Sequence, residues 1–420
     1  MVYGNSHYLA IERATGGNQI ADRPQDKPIE ITTGAAALDT DGRAAVMWRD
    51  KQGSTFGRIV KPNAEGSSKG ILRNSVFDEE FVALYKAVEP GPRMAELDGE
   101  ASSVGAPRED LAREVGEGLR STPKYLSPQY FYDALGSRLF DAITELPEYY
   151  PTRTELSILQ THAADMARHM GEHADIIEFG AGSLQKIRLL LNAATQPARF
   201  VPMDISGPHL QTASDLLKKE FPSLHIQPMV GDYTSDWQLP APLPGAGKRV
   251  AFFPGSTIGN FSPAQAHTFF QNCAQHLAGG ALLLGVDLIK SPDVLHAAYN
   301  DAQGVTAAFN LNLLARANRE LGCDFDLSQF AHSAFYNAPL QRIEMHLLSL
   351  KAQTVHLNGH AYAFHEGETL HTEYSHKFTI AGVQQAAQSA GLQTTAVWTD
   401  PHHLFGLIWL DIPHTQETSL

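Results

Sequence analysis

Between Ala174 and Leu288, apolar runs of strand length alternate with segments of helical spacing, and this alternation leaves few folds open. ADIIEF is followed by the turn GAGS and the helix-patterned LQKIRLLLNAA, and RFVPMDIS is followed by HLQTASDLLKKEF. LHIQPMVGDY and RVAFFPG continue the strands. SPAQAHTFFQNCAQHLAGG reads as a helix with Ser262 and Pro263 as start signals and Gly279 as its stop, and ALLLGVDL is a further strand. Such β-α-β order calls for a parallel sheet with helices on both faces. After Lys290 the order breaks. A long helical stretch, SPDVLHAAYNDAQGVTAAFNLNLLARANREL, precedes strand-like RIEMHLLSLKAQTVHL, AYAFHEGE and TLHTEYSHKFT, then the helix VQQAAQSAGL and two closing strands, TTAVWTD and LFGLIWLDI. The expectation is an α/β core interrupted by an α+β insertion.

The first hundred residues are different. Gly, Asp, Ser, Asn and Lys are scattered among short apolar pairs, so residues 1–107 are read as a disordered or weakly structured extension. The alternative is a small satellite domain built around AAVMWRD and VFDEEFVALYKAV. From Glu109, EDLAREVGEGL has the spacing of a short helix. A formal charge of −14 without a local basic patch argues against nucleic acid and anionic membranes as partners. Cys273 and Cys323 offer neither a disulfide framework nor a thiolate metal site, no leader or membrane span is visible, and the cytoplasm is the default location.

Open parallel sheets bind ligands beyond the carboxyl ends of their strands. The first such end reads EFGAGS, where Gly180 and Gly182 permit a tight turn and close backbone approach, suiting a dinucleotide or S-adenosylmethionine. A dinucleotide fingerprint needs a third glycine where this chain has Gln185, which tilts the reading to the methyl donor. Asp204 ends the next strand, where a carboxylate can accept from both ribose hydroxyls, and Asp232 with Tyr233 ends the third, within reach of an adenine. Lys186, on the helix after the turn, completes the proposed donor-binding set.

Longer motifs carry a more specific message. YFYDALGSRLFDAITELPEYYPTRTE (130–155), PGSTIGN (254–260), DLIKS (287–291), AYNDAQGVTAAFNLNLL (298–314), NRELGCDFD (318–326), RIEM (342–345) and TEYSHKF (372–378) run in order through residues 110–412. In these the chain resembles the S-adenosylmethionine-dependent histidine N-alpha-methyltransferases of ergothioneine biosynthesis. The resemblance implies a Rossmann-like S-adenosylmethionine methyltransferase sheet with an inserted α+β substrate-binding domain. Applied to this chain it gives residues 108–153 and 290–379 to the substrate domain and 154–289 and 380–420 to the methyltransferase core. It further implies that Asn260 and Tyr149 hold the amino-carboxylate end of L-histidine, that Tyr132 and Phe140 line the same cavity, and that Tyr299 binds the carboxylate. Met345, Glu373 and Ser375 would surround the imidazole. Asn260 and Tyr132 are the catalytic candidates, no metal is implied, and a monomer is expected.

The chemistry of these residues is consistent with that role. A methyl acceptor needs a free lone pair, and Asn260 can accept from an amine N–H without adding charge. If TEYSHKF is a strand, Glu373 and Ser375 share a face. Glu373 can accept from one ring N–H while Ser375 meets the other nitrogen, so a different side chain would leave polar groups unmatched. Blander readings exist for each: packing for Tyr149 and Met345, a solvent face for Glu373 and Ser375, a turn cap for Asp287. His356, His360, His365, His371 and His376 fall on several strands without a carboxylate–histidine motif, and solvated strand faces explain them better than a metal does. The competing functions are N-methylation of another aromatic amino acid, a nicotinamide-dependent oxidoreductase, and a non-catalytic binding protein.

Overall fold

The computed structural model describes residues 108–414, apart from 183, 235 and 236, together with the backbone of four strands farther upstream. Those strands, Thr33–Leu38, Ala44–Arg49, Thr55–Val60 and Arg73–Asn74, pair antiparallel in sequence order. Ala44–Arg49 comes from AAVMWRD, whereas VFDEEFVALYKAV and the rest of the extension lie outside the described residues.

The chain divides into two compact units. One contains residues 106–149 and 290–374 with the upstream strands; the other contains 150–289 and 375–420. The breaks at 149/150 and 374/375 fall a few residues before the 153/154 and 379/380 expected. The helix Tyr150–Met170 explains the first difference, because Ile158, Leu159, Met166 and Met170 bury themselves with Phe405, Leu407 and Trp409 in the core of the second unit.

In that second unit an eight-stranded sheet runs Gln393–Thr399, Phe405–Asp411, Ala281–Asp287, Arg249–Phe253, Asp175–Phe179, Arg199–Asp204 and His225–Ile226, with Met229–Val230 also paired to Arg199–Asp204. The strands between 175 and 287 are mutually parallel, and the two C-terminal strands are antiparallel to their neighbours. Both faces are covered: Ile176, Phe200, Val250 and Phe252 belong to one core, Ile177, Val201, Ala251 and Phe253 to the other. Burial on both faces is why these strands read as continuous apolar runs. Strand order reverses at Asp175–Phe179, which has Arg199–Asp204 on one side and Arg249–Phe253 on the other. The carboxyl ends of Asp175–Phe179 and Arg249–Phe253 therefore flank the switch point at which open α/β sheets take their ligands.

The first unit is built on a sheet of order Phe330–Asn337, Arg342–Ser349, Thr369–His376 and Lys124–Tyr125, with a separate hairpin Gln353–Leu357/His360–Phe364. Asn358 and Gly359, both at positive φ (50° and 78°), make the two-residue turn of that hairpin. Its first strand is separate from Arg342–Ser349, although the sequence reads as one run. The helical stretch after Lys290 is likewise two helices, Pro292–Tyr299 and Val305–Leu321. Asp301 ends the continuity by accepting from the amides of Val305 (2.9 Å) and Thr306 (2.8 Å), and so caps the second helix. The strand Phe330–Asn337 and the helices Ala134–Thr144 and Tyr150–Met170 lie where the sequence pattern marks no element.

Candidate active site

The donor side forms at the switch point. Gly180 and Gly182 have φ of 66° and 49°, conformations that a side chain would strain. The turn is tied to the neighbouring strand by Gly180 and Ala181, whose amides donate to the Met203 carbonyl at 2.9 and 3.1 Å. The Gly182 amide donates to Asp204 Oδ2 (3.1 Å) and that of Ser206 to Oδ1 (2.9 Å), so the carboxylate is oriented by backbone and keeps lone pairs for further donors. Tyr233 lies over the turn, its ring 3.5 Å from where a Gly180 Cβ would stand, and its edge meets Phe253 at a centroid distance of 5.3 Å. Asp232 accepts from the amide and hydroxyl of Thr234 at 2.7 and 2.6 Å.

Lys186, assigned to the donor-binding set, stands in an ion pair. Its ammonium pairs with Glu155 at 2.7 Å, and the buried Glu155 carboxylate also accepts from the Gly255 amide at 2.9 and 3.1 Å. Lys186 and Glu155 thus secure the start of the PGSTIGN loop. Glu178, unmarked by the sequence reading, is buried with Oε2 lacking a partner among the described residues. Burial pushes its carboxyl well above the ordinary range, a shift that Glu155 and Asp204 reinforce and Lys186 opposes. The Asp204 carboxylate beside the glycine turn suits S-adenosylmethionine, whose ribose hydroxyls can donate to it.

The PGSTIGN loop ends in the short 3-10 turn Thr257–Asn260, which leaves Asn260 half-buried. Gly259 must be glycine, since a Cβ there would stand 2.9 Å from the His376 carbonyl oxygen. Ser256 accepts from the Asp287 amide at 2.9 Å. Asp287 is no simple turn cap: its carboxylate receives the Tyr150 hydroxyl (2.7 and 2.8 Å) and pairs with Lys377 at 2.9 Å, all three buried. Lys377 also donates to Ser375 Oγ at 2.7 Å. A charged residue ending the apolar run ALLLGVD is the signal that such a buried pair leaves in a sequence.

In the first unit the predicted aromatic residues meet as a row. Ring centroids are separated by 5.7 Å for Tyr132–Phe140, 6.3 Å for Phe140–Tyr149 and 6.4 Å for Tyr149–Tyr299, each edge-on. Phe309, which the sequence reading did not single out, contacts both Tyr132 (5.9 Å) and Phe140 (6.0 Å). Met345 is buried, and its carbonyl accepts from Thr372 Oγ1 at 3.1 Å. Glu373 and Ser375 are 9% and 5% exposed, so the solvent-face reading of TEYSHKF fails. His371 also departs from a solvated face: its ring lies 3.9 Å from that of Tyr374 and 5.1 Å from that of His346, and burial lowers its pKa to about 3. Among the described residues no group of three or more His, Cys, Asp or Glu side chains gathers as a metal site.

The sheet order and the glycine turn at its switch point admit a nucleotide-like ligand, and the family match makes the chain an S-adenosylmethionine-dependent methyltransferase. The profile of the family described as "Histidine-specific methyltransferase, SAM-dependent" matches residues 111–412. The chain belongs to that family, and it is an S-adenosylmethionine-dependent histidine methyltransferase. It is 44% identical over 305 residues to a histidine N-alpha-methyltransferase of Mycolicibacterium smegmatis, covering 71% of this chain and 94% of that one. Identity is 40% over 304 residues to the protein of the same name from Mycobacterium tuberculosis, covering 71% and 93%. A 206-residue stretch is 34% identical to ergothioneine biosynthesis protein 1 of Neurospora crassa, covering 48% of this chain and 23% of that one.

Proposed function

We propose that the enzyme methylates the α-amino nitrogen of L-histidine three times in succession, yielding its trimethylammonium betaine, hercynine, as the first step of ergothioneine formation. The observation that carries this reading is the buried carboxylate–hydroxyl pair of Glu373 and Ser375, two residues apart on one strand. Glu373 accepts an imidazole N–H, Ser375 meets the second ring nitrogen, and Met345 packs against the ring. Tyr299 and Tyr149 take the carboxylate end. Asn260 accepts from the amine through its side-chain carbonyl, and Tyr132 with Phe140 walls off water.

The donor supplies an electrophilic methyl group; the protein supplies alignment and a setting that favours the neutral amine. Desolvation disfavours an ammonium, and the Asn260 carbonyl adds no counter-charge that would restore it. Orientation of the amine along the bond to the departing sulfur is the larger contribution, worth about 7–11 kcal/mol in favourable systems. Gly180, Gly182, Asp204, Asp232 and Tyr233 hold the donor, and Lys186 acts through Glu155 on the loop that carries Asn260. A tryptophan-like acceptor has one ring nitrogen and would satisfy only one of the two polar contacts offered by Glu373 and Ser375, which disfavours other aromatic amino acids.

Mass spectrometry of histidine incubated with the enzyme and S-adenosylmethionine is expected to show one, two and three added methyl groups, with fragmentation placing all of them on the α-nitrogen. Methyl groups on the ring nitrogens would overturn the proposal.

A further inference from the structure

We propose that His332, held as its neutral Nε2–H tautomer by Asn310, is a positioning residue that fixes Tyr299 for the substrate carboxylate. The inference rests on the role given to Tyr299 above.

Asn310, on the helix Val305–Leu321, is completely buried, and its Nδ2 lies 2.9 Å from both the His346 carbonyl oxygen and His332 Nδ1. A carbonyl only accepts, so the contact with His346 settles which end of the amide is nitrogen. The amide nitrogen only donates, so His332 Nδ1 must accept. The single proton of the neutral ring is then on Nε2, 2.8 Å from the Tyr299 carbonyl oxygen, another group that only accepts. Each donor in the chain meets an acceptor in this protonation state alone. A proton on Nδ1 would face the Asn310 N–H directly. Burial acts in the same direction and lowers the His332 pKa to about 4, against a smaller opposing pull from the Tyr299 carbonyl.

The bond falls where it controls geometry. Tyr299 is the last residue of the helix Pro292–Tyr299, and the final carbonyls of a helix have no donors of their own. Two residues along the same strand, the Ala334 carbonyl accepts from Asn300 Nδ2 at 3.0 Å. His332 and Ala334 thus clamp the helix end to the strand Phe330–Asn337 on either side of the Tyr299–Asn300 peptide. The Tyr299 ring leaves this clamp toward Tyr149, 6.4 Å away. Neither His332 nor Asn310 belongs to the aromatic row, so their effect on substrate passes through Tyr299.

Steady-state kinetics on the full chain tests the inference. His332→Leu is expected to raise KM for histidine by about tenfold while KM for S-adenosylmethionine stays within about twofold. His332→Gln, which restores an N–H near the Nε2 position, should recover most of the loss. Equal KM values in wild type and His332→Leu would overturn the inference, as would a glutamine variant as impaired as the leucine one. Tyr299→Phe separates the two levels. If it leaves KM for histidine unchanged, the carboxylate reading and the inference both fall; if it raises KM while His332→Leu does not, the inference alone falls. Should the leucine variant not fold, ring-nitrogen NMR of wild-type protein labelled at histidine decides, with His332→Gln identifying the resonance. The expected spectrum at about pH 6 has Nε2 protonated and Nδ1 bare; an imidazolium or an Nδ1–H ring would overturn the assignment.

Discussion

Glu373 is buried on the strand Thr369–His376, and its proposed role is to accept an imidazole N–H, so its removal should be felt by that ligand. Glu373→Ala is expected to weaken histidine binding by about 1–3 kcal/mol with little effect on S-adenosylmethionine, as read by calorimetric titration of each ligand. Equal losses for both would assign Glu373 to the fold rather than the pocket. On the donor side, Gly182→Ala forces a side chain into a φ of 49° and disturbs the amide that orients Asp204. We expect the turn to shift rather than bear a strain of about 1–2 kcal/mol, and affinity for S-adenosylmethionine to fall with it, with histidine binding far less changed. Strand alternation marks only that Glu373 and Ser375 share a face; their role around the imidazole comes from the family resemblance. Asp287 in DLIKS and Lys377 in TEYSHKF are not legible as partners, because an ion pair between residues far apart in sequence leaves no periodic trace. Glu178 escaped for another reason: inside EFGAGS the glycines carried the whole signal.

Elements were legible where the apolar pattern was long and cleanly punctuated. The capping box of Ser262 and Gln265 and the positive φ of Gly279 (76°) bound the helix Pro263–His276 where Ser262, Pro263 and the glycine said they would. The stretch after Lys290 misled because helical spacing persists on both sides of Asn300–Gly304 and no proline interrupts it. The break depends on the Asp301 side chain turning back onto two amides, a choice between cap and helix interior that spacing alone does not reveal. Asp301→Ala should therefore lower stability by about 1–2 kcal/mol in denaturant unfolding. Because the break also frees the end of the Tyr299 helix, the same variant should raise KM for histidine. A stability loss with unchanged KM would mean that the strand clamp at His332 holds Tyr299 without help from the cap.

For the whole molecule, buried imidazoles set a pH limit. In the unfolded chain a histidine takes up its proton near pH 6.5, whereas in the fold burial delays this to about 4 for His332 and about 3 for His371. Between these values the unfolded chain binds more protons, so stability falls as pH drops below about 6.5 and continues to fall toward 4. Glu344 adds a separate loss at lower pH. Burial opposes its ionisation, but His346 and Arg342 outweigh burial and hold its pKa below the ordinary value, so its contribution disappears only once the pH passes below about 4.5. Thermal unfolding followed from about pH 8 to 5 is expected to show a flat midpoint above about 6.5 and a decline below it. A midpoint that is level down to about pH 5 would mean that these rings are charged in the fold.

The strand Ala281–Asp287 has Arg249–Phe253 on one side and Phe405–Asp411 on the other, with the whole segment 290–374 of the first unit between them in sequence. During synthesis the growing sheet therefore waits with an open apolar edge while the ribosome makes the intervening segment. An edge of that kind is a template for pairing with other chains. A message cut short before codon 405 would release a polypeptide holding every residue assigned to histidine and to the methyl donor, yet with a seam that only the last strands can close. The sheet is therefore completed only by strands that follow the whole intervening segment in sequence.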